Sequence, residues 1–343
     1  MNLIRFFLLI FLLSLFVKTS SAQDAVFSQY YSSSLYLNPA MAGVEPYLTF
    51  ASNHRTQWGS ITTPYVTSQA SLIVPIYAKG VDATHRGGIG FSCYNDRAGA
   101  LNFNTTGANV NAAYNLHLSS LQMLSFGVQA GFIQKSINGN QQWGQQYDPI
   151  LGYNATGVYD ESQLATKVTM PDISSGVMYY FNSSKNYTEK GFSGYAGLSM
   201  YHMNMPNESM VYGLVSKLPA LYKFNAGLEI RASDKVNIAP SVLFVRQNNT
   251  NQINSGVYLT YNLGMMQKEL SPSYLILGTW YRLQDSFIFS GGFGNDYYTI
   301  GLSYDLNNST LRYTTQGKGA YEISLTVHRV KSHKAKRYYT PRI

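Results

Sequence analysis

Along most of this chain apolar and polar residues alternate one by one. In "YEISLTVH", Tyr321, Ile323, Leu325 and Val327 share one face, while Glu322, Ser324, Thr326 and His328 share the other. "YKFNAGLEIR" sets Tyr222, Phe224, Ala226, Leu228 and Ile230 against Lys223, Asn225, Gly227, Glu229 and Arg231. "YTIGLSYDL" and "ANVNAAYNLHL" repeat the pattern, with Gly301, Ser303 and Asp305 polar in the first and Asn109, Asn111 and Asn115 polar in the second. Period two is a strand signal, because successive side chains point to opposite faces. It predicts fourteen strands, near residues 46–57, 63–78, 86–97, 102–117, 120–137, 170–181, 190–204, 219–232, 235–247, 251–263, 272–283, 286–294, 296–306 and 319–330.

A soluble sandwich or propeller would alternate too. Three features point instead to an all-β, transmembrane antiparallel β-barrel of about fourteen strands over residues 46–330. Many segments reach the ~9–11 residues that a tilted strand needs to cross a bilayer. The polar face carries Lys223, Glu229, Arg231 and Glu322, which suits a wet lumen. An N-terminal export signal is present, and only a closed barrel satisfies every backbone group of a sheet in lipid. Composition agrees: 29 Tyr, 29 Gly and 12% charged residues, against about 25% in a soluble domain.

The export signal is Arg5, then the apolar "FFLLIFLLSLFV" (6–17), then "KTSSAQ" with small residues at Ser20 and Ala22. Twelve apolar residues are too few to span ~30 Å of hydrocarbon as a helix, so 1–22 reads as a cleaved signal peptide. An N-terminal periplasmic segment, 23–45, would follow. An even strand count puts both termini of an outer-membrane barrel in the periplasm. Turns at 118–121 and 232–235 then face inward, and the long connections near 138–169 and 205–218 face outward.

Catalytic patterns are missing. No Gly-x-Ser-x-Gly occurs, and the six His residues show no metal-ligand spacing. "GGIG" (87–90) and "GGFG" (291–294) read as bends, or as room for bulky neighbours, rather than phosphate loops. Cys93, the single cysteine, excludes a disulfide framework and reads as a small buried or lipid-facing residue. No enzyme activity, cofactor, metal or nucleic-acid partner is expected.

Charge is concentrated at one end. Without Arg5 and Lys18 the net charge falls from +8 to +6. All of that excess lies in "RVKSHKAKRYYTPRI" (329–343), which has no acid. The basic periplasmic tail, 331–343, is either a solvated extension or an address for an acidic partner or anionic head groups. Lys334, Lys336, Arg337, Tyr338 and Tyr339 are its candidate binding residues.

Four marks carry a family resemblance: "FSQY" (27–30), "NPAMAG" (38–43), "RTQW" (55–58) and "GAYEISL" (319–325). Together they resemble the PorP/SprF family, outer-membrane proteins of the type IX secretion and gliding machinery. The resemblance implies a partner of secreted adhesins, receiving their C-terminal domains at the surface and associated with the periplasmic ring. The family's motif residues here are Asn38, Pro39, Ala40, Gly43, Arg55, Gln57 and Trp58. Pro39 stiffens its segment and biases Asn38 toward an extended form. Ala40 and Gly43 let it pass close to other backbone, which places it against or inside the periplasmic mouth. Arg55 falls on the lumen face, where Glu229 or Glu322 could pair with it. The rival from another class is a diffusion porin or small-solute transporter, which needs an open lumen.

Overall fold

The computed structural model describes residues 24–61, 63–77, 85–99, 102–137, 147–148, 152–153, 165–183, 191–264, 271–310 and 312–329. The proposed signal peptide and the tail with Lys334, Lys336, Arg337, Tyr338 and Tyr339 lie outside the described residues.

Among the described residues sixteen strands are seen: β1 (Leu48–Gln57), β2 (Tyr65–Tyr77), β3 (His85–Ala98), β4 (Phe103–His117), β5 (Gln122–Ser136), β6 (Tyr147–Asp148), β7 (Gly152–Tyr153), β8 (Lys167–Asn182), β9 (Phe192–Tyr201), β10 (Leu221–Arg231), β11 (Val236–Gln247), β12 (Thr250–Asn262), β13 (Tyr274–Arg282), β14 (Ser286–Gly294), β15 (Tyr298–Asn307) and β16 (Lys318–Arg329). β6 and β7 pair only with each other. The other fourteen form a closed antiparallel barrel in which each strand neighbours the next, and β16 closes on β1. Each is one of the fourteen predicted segments. β8 starts three residues before its prediction, because Lys167 still pairs with Ser136. β9 stops at Tyr201, ahead of its predicted end, because His202 turns the chain with φ +57°.

The alternation sorts as the sequence implies. On β16, Tyr321 and Ile323 are 53% and 47% exposed, whereas Glu322 between them is 2% exposed. Phe91, Val110, Val128, Leu198, Leu277 and Leu302 are likewise exposed on the outer wall. Such an apolar belt outside a barrel suits lipid. Cys93 is exposed on the same outer face. No helix among the described residues is long and apolar enough to cross a membrane.

Strand parity puts Leu48 and Arg329 at one end, the near rim, and Gln57 and Lys318 at the other, the far rim. The longer connections, 137–166 and 202–220, leave from the far rim. Lys135 of β5 forms an ion pair with Glu208 and so ties the second of these to the wall.

The segment before β1 departs from its expected place at one mouth. Residues 24–45 run the whole length of the lumen. Asp24 N–H donates to Gln247 Oε1 at the far rim (2.9 Å), and Glu45 lies 3.6 Å from His328 Nδ1 at the near rim. The wall offers both a path and partners along that length.

Candidate functional site

The lumen is built around this threaded segment. Its fold is short turns rather than strand: Tyr30–Ser32, Ser34–Leu37 and Pro39–Met41. A segment without strand partners must find other hydrogen bonds for its carbonyls. The inward polar residues supply them. Tyr201 Oη donates to Leu35 O (2.9 Å), Lys223 Nζ to Tyr36 O (2.5 Å), Ser199 Oγ to Leu37 O (2.9 Å), Ser125 Oγ to Ala40 O (2.6 Å) and Asn115 Nδ2 to Gly43 O (2.8 Å). The polar face read as a wet lumen is therefore a set of donors for one peptide.

The motif residues Asn38, Pro39, Ala40 and Gly43 explain how close the peptide lies. Asn38 Oδ1 caps the Pro39 turn by accepting from Ala40 N (2.9 Å). Its Nδ2 donates to Val177 O and Leu198 O at 3.1 and 3.2 Å, reaching two strands at once. The wall beneath is floored with glycine. A Cβ on Gly127 would stand 2.2 Å from Ala40 N, and one on Gly176 2.0 Å from Asn38 Oδ1. Gly43, at φ +80°, lies against Gly87 and Gly88, so that side of "GGIG" is room for another backbone. Gly90 makes room instead for the Leu35 side chain.

Higher in the barrel, "FSQY" meets Arg55 and Glu322. Ser28 N–H donates to Glu322 Oε2 (2.7 Å) and Gln29 N–H to Glu322 Oε1 (3.2 Å). Arg55 Nη2 lies 2.9 Å from Asp305 Oδ2, and its Nη1 lies 3.6 Å from Glu322 Oε2 and donates to Ser28 Oγ. Arg282 Nη1 lies 3.2 Å from Asp305 Oδ2, and its Nη2 donates to Ser28 Oγ (2.9 Å). The Ser28 hydroxyl thus accepts from two guanidinium groups and donates to Asp305, whose oxygens are both 2.8 Å away. Two buried arginines face two buried carboxylates, and Arg282 Nη1 also reaches the partly exposed Asp285 at 3.0 Å, so every buried charge here has an opposite partner, as burial of charge demands.

Of the two carboxylates expected to pair with Arg55, Glu322 does so and Glu229 does not. Glu229 sits near the opposite rim and accepts from Asn237 Nδ2 (3.0 Å). Gln57 and Trp58 are not brought to the lumen cluster. They lie at the far rim, where Trp58 N–H donates to Gly319 O (2.6 Å) and its ring packs edge-on to Tyr65 at 5.0 Å. Sequence reasoning did not select Ser28, Gln29, Arg282 or Asp305 as site residues. Asp305 did stand on the polar face of its strand, which was the available signal.

A second charged group holds the start of the segment. His202 lies between two carboxylates, with Nδ1 2.8 Å from Asp172 Oδ1 and Nε2 2.6 Å from Asp24 Oδ2. Burial alone would lower the His202 pKa, but the two carboxylates push it up to about 9. Burial likewise raises the Asp24 carboxyl, yet His202 outweighs it and brings the pKa to about 2. An imidazole occupied by acids on both ring nitrogens is not placed to activate a nucleophile. Among the described residues no group of three or more His, Cys, Asp or Glu could hold a metal ion.

Aromatic rings of the wall pack against the segment. Tyr30 packs edge-on to Trp280 at 5.4 Å and Tyr31 to Tyr258 at 4.8 Å. A cavity of about 80 Å³ persists between Tyr30, Leu37, Met178, Tyr180, Tyr195 and the near rim.

Comparison with known proteins gives one family and a set of distant folds. Residues 19–327 match the family described as type IX secretion system membrane protein PorP/SprF. A search of curated proteins gave no match. Similar solved structures include the toluene transporter TbuX of Ralstonia pickettii, at 10% identity and TM-score 0.48, covering 87% of this chain and 94% of that one. The monoaromatic hydrocarbon channel CymD is similar at 13% identity and TM-score 0.47, covering 88% and 94%. The translocator domain of the autotransporter NalP from Neisseria meningitidis follows at 10% identity and TM-score 0.42, covering 83% and 88%. With its lipid-suited belt and its match over nearly the whole length, this outer-membrane β-barrel belongs to the PorP/SprF family of type IX secretion system membrane proteins.

Proposed function

We propose that this barrel is a non-enzymatic component of type IX secretion that anchors or hands over a secreted adhesin-type protein and contacts the periplasmic ring components. The observation that carries the reading is the filled lumen. A diffusion porin needs a continuous aqueous path, and here residues 24–45 occupy the lumen from rim to rim with their carbonyls bonded to the wall. A barrel filled by its own chain suits a platform in outer-membrane lipid better than a conduit. Its working surfaces are then its rims.

The short connections suit the periplasmic side and the long ones the cell surface. In that orientation β16 ends toward the periplasm. The basic tail after it would face the periplasmic machinery, while Asp24 faces outward. The adhesin C-terminal domain would meet the far rim. Deleting the gene tests this reading: loss of one surface adhesin with general secretion intact supports it, and normal display of every adhesin refutes it. Truncation after Lys331 should spare barrel assembly and reduce display. A tail contact driven by charge alone should weaken steeply with salt, since exposed charges are screened beyond roughly 8 Å at physiological ionic strength.

A further inference from the structure

In a ring of fourteen strands there are fourteen neighbouring pairs, and thirteen are consecutive barrel strands in the chain. The last, β1 with β16, is not. Asn53 and Glu322, hydrogen-bonded across it at 3.0 Å, are 269 residues apart. Closing this pair carries the largest loop entropy, and no turn sets its register. The apolar pattern does not set it fully either. A slip of one residue would turn every side chain to the wrong face. A slip of two would keep the lipid face intact and go unnoticed by the outer wall. It would put Ala320 or Ser324 where Glu322 stands.

The lumen chemistry detects that slip. Segment 24–45 leads directly into β1, so the two fold back on each other. Together they offer Glu322 a fitted set of donors: Ser28 N–H and Gln29 N–H from the segment, Asn53 Nδ2 and Arg55 from β1. Gln29 also reads the β16 backbone and its next inward residue. Its Nε2 donates to Glu322 O (3.1 Å), and its Oε1 accepts from Ser324 Oγ (2.8 Å). Neither alanine nor serine could satisfy donors arranged for a carboxylate.

We infer that segment 24–45 sets the register at which β16 closes on β1, acting as a closing template rather than a stopper added to a finished barrel. This holds whatever the barrel's cargo.

Disulfide trapping in the full-length chain tests it, in a Cys93→Ser background. Phe50→Cys with Val327→Cys reports the native register, since these are partners across the seam. Phe50→Cys with Leu325→Cys reports a two-residue slip. Val110→Cys with Ala130→Cys, partners between β4 and β5, reports general folding. Ser28→Ala with Gln29→Ala leaves the two backbone N–H donors to Glu322 but removes the Gln29 bonds to Glu322 O and Ser324 Oγ. It also removes the Ser28 hydroxyl that holds Arg55 of β1 and Asp305 of β15, the strands on either side of β16. The double change should lower the ratio of native to slipped trapping by about tenfold. Trapping between β4 and β5 should be unchanged. Leu35→Ala, which loosens the same segment against Gly90 away from the seam, should leave the ratio near wild type. If the double variant blocks assembly outright, Gln29→Ala alone is read in the same way. An unchanged ratio, or an equal loss of trapping at both strand pairs, would overturn the inference.

Discussion

Arg55 and Glu322 are direct partners across the closing seam of the barrel, and their charged groups lie 3.6 Å apart deep in the lumen. Each is also held by the segment that precedes β1. Arg55 reaches Ser28 and Asp305, and Glu322 takes two backbone N–H donors. Arg55→Ala would leave two buried carboxylates facing one guanidinium. Removing one partner of a buried ion pair costs about 3–5 kcal/mol. The expected result is a large loss of heat-resistant folded band on gels and a lower urea midpoint. Arg55→Lys should recover only part of this, because an ammonium lacks the fork that bonds Asp305 and Ser28 together.

The glycine floor gives a second expectation. Gly127→Val would set its Cβ 2.2 Å from Ala40 N, against backbone rather than a flexible side chain. The barrel wall can persist, but the segment must lift. Protease sensitivity within 24–45 should rise while the folded band survives. Gly213→Val, where a Cβ would meet nothing within 4 Å but φ is +77°, should leave the lumen segment protected.

Leu325 tests the outward face. Leu325→Arg on β16 should cost ~2–4 kcal/mol if the side chain lies near the bilayer midplane, read as reduced assembly yield in lipid. Leu325→Ile should be nearly silent. Equal yields for the two would place this face away from lipid.

The far-rim anchor should depend on pH. The His202 pKa rises from 6.5 to about 9 on folding. Its contribution is therefore complete below 6.5 and is lost as pH climbs through 9. The Asp24 pKa falls from 3.8 to about 2, so its contribution is complete above 3.8 and is lost as pH drops through 2. Protection of the amides of residues 24–28, taken as the exchange rate relative to the free peptide at the same pH, should be highest between pH 3.8 and 6.5 and fall from pH 6.5 toward 9. His202→Gln should flatten the alkaline limb.

Much of the fold was legible because a barrel wall between lipid and lumen writes period two into every strand. Fourteen segments and the inward direction of Arg55 and Glu322 followed from that alone. The depth of residues 24–45 did not. "NPAMAG" announced a close approach of backbones without naming the other backbone. Gly88, Gly127 and Gly176 sit on three different strands, and each alone reads as a bend. Asp305 was visibly polar-faced, but its pairing with both Arg55 and Arg282 depends on which strands flank the seam, a relation that no local pattern encodes.

Single-channel recording in planar bilayers tests most directly whether the lumen is filled by its own chain. Full-length protein should show no steady open state, whereas Gly127→Val and a chain lacking residues 24–44 should conduct. A steady open channel from the full-length barrel, with conductance unchanged by either alteration, would contradict the account.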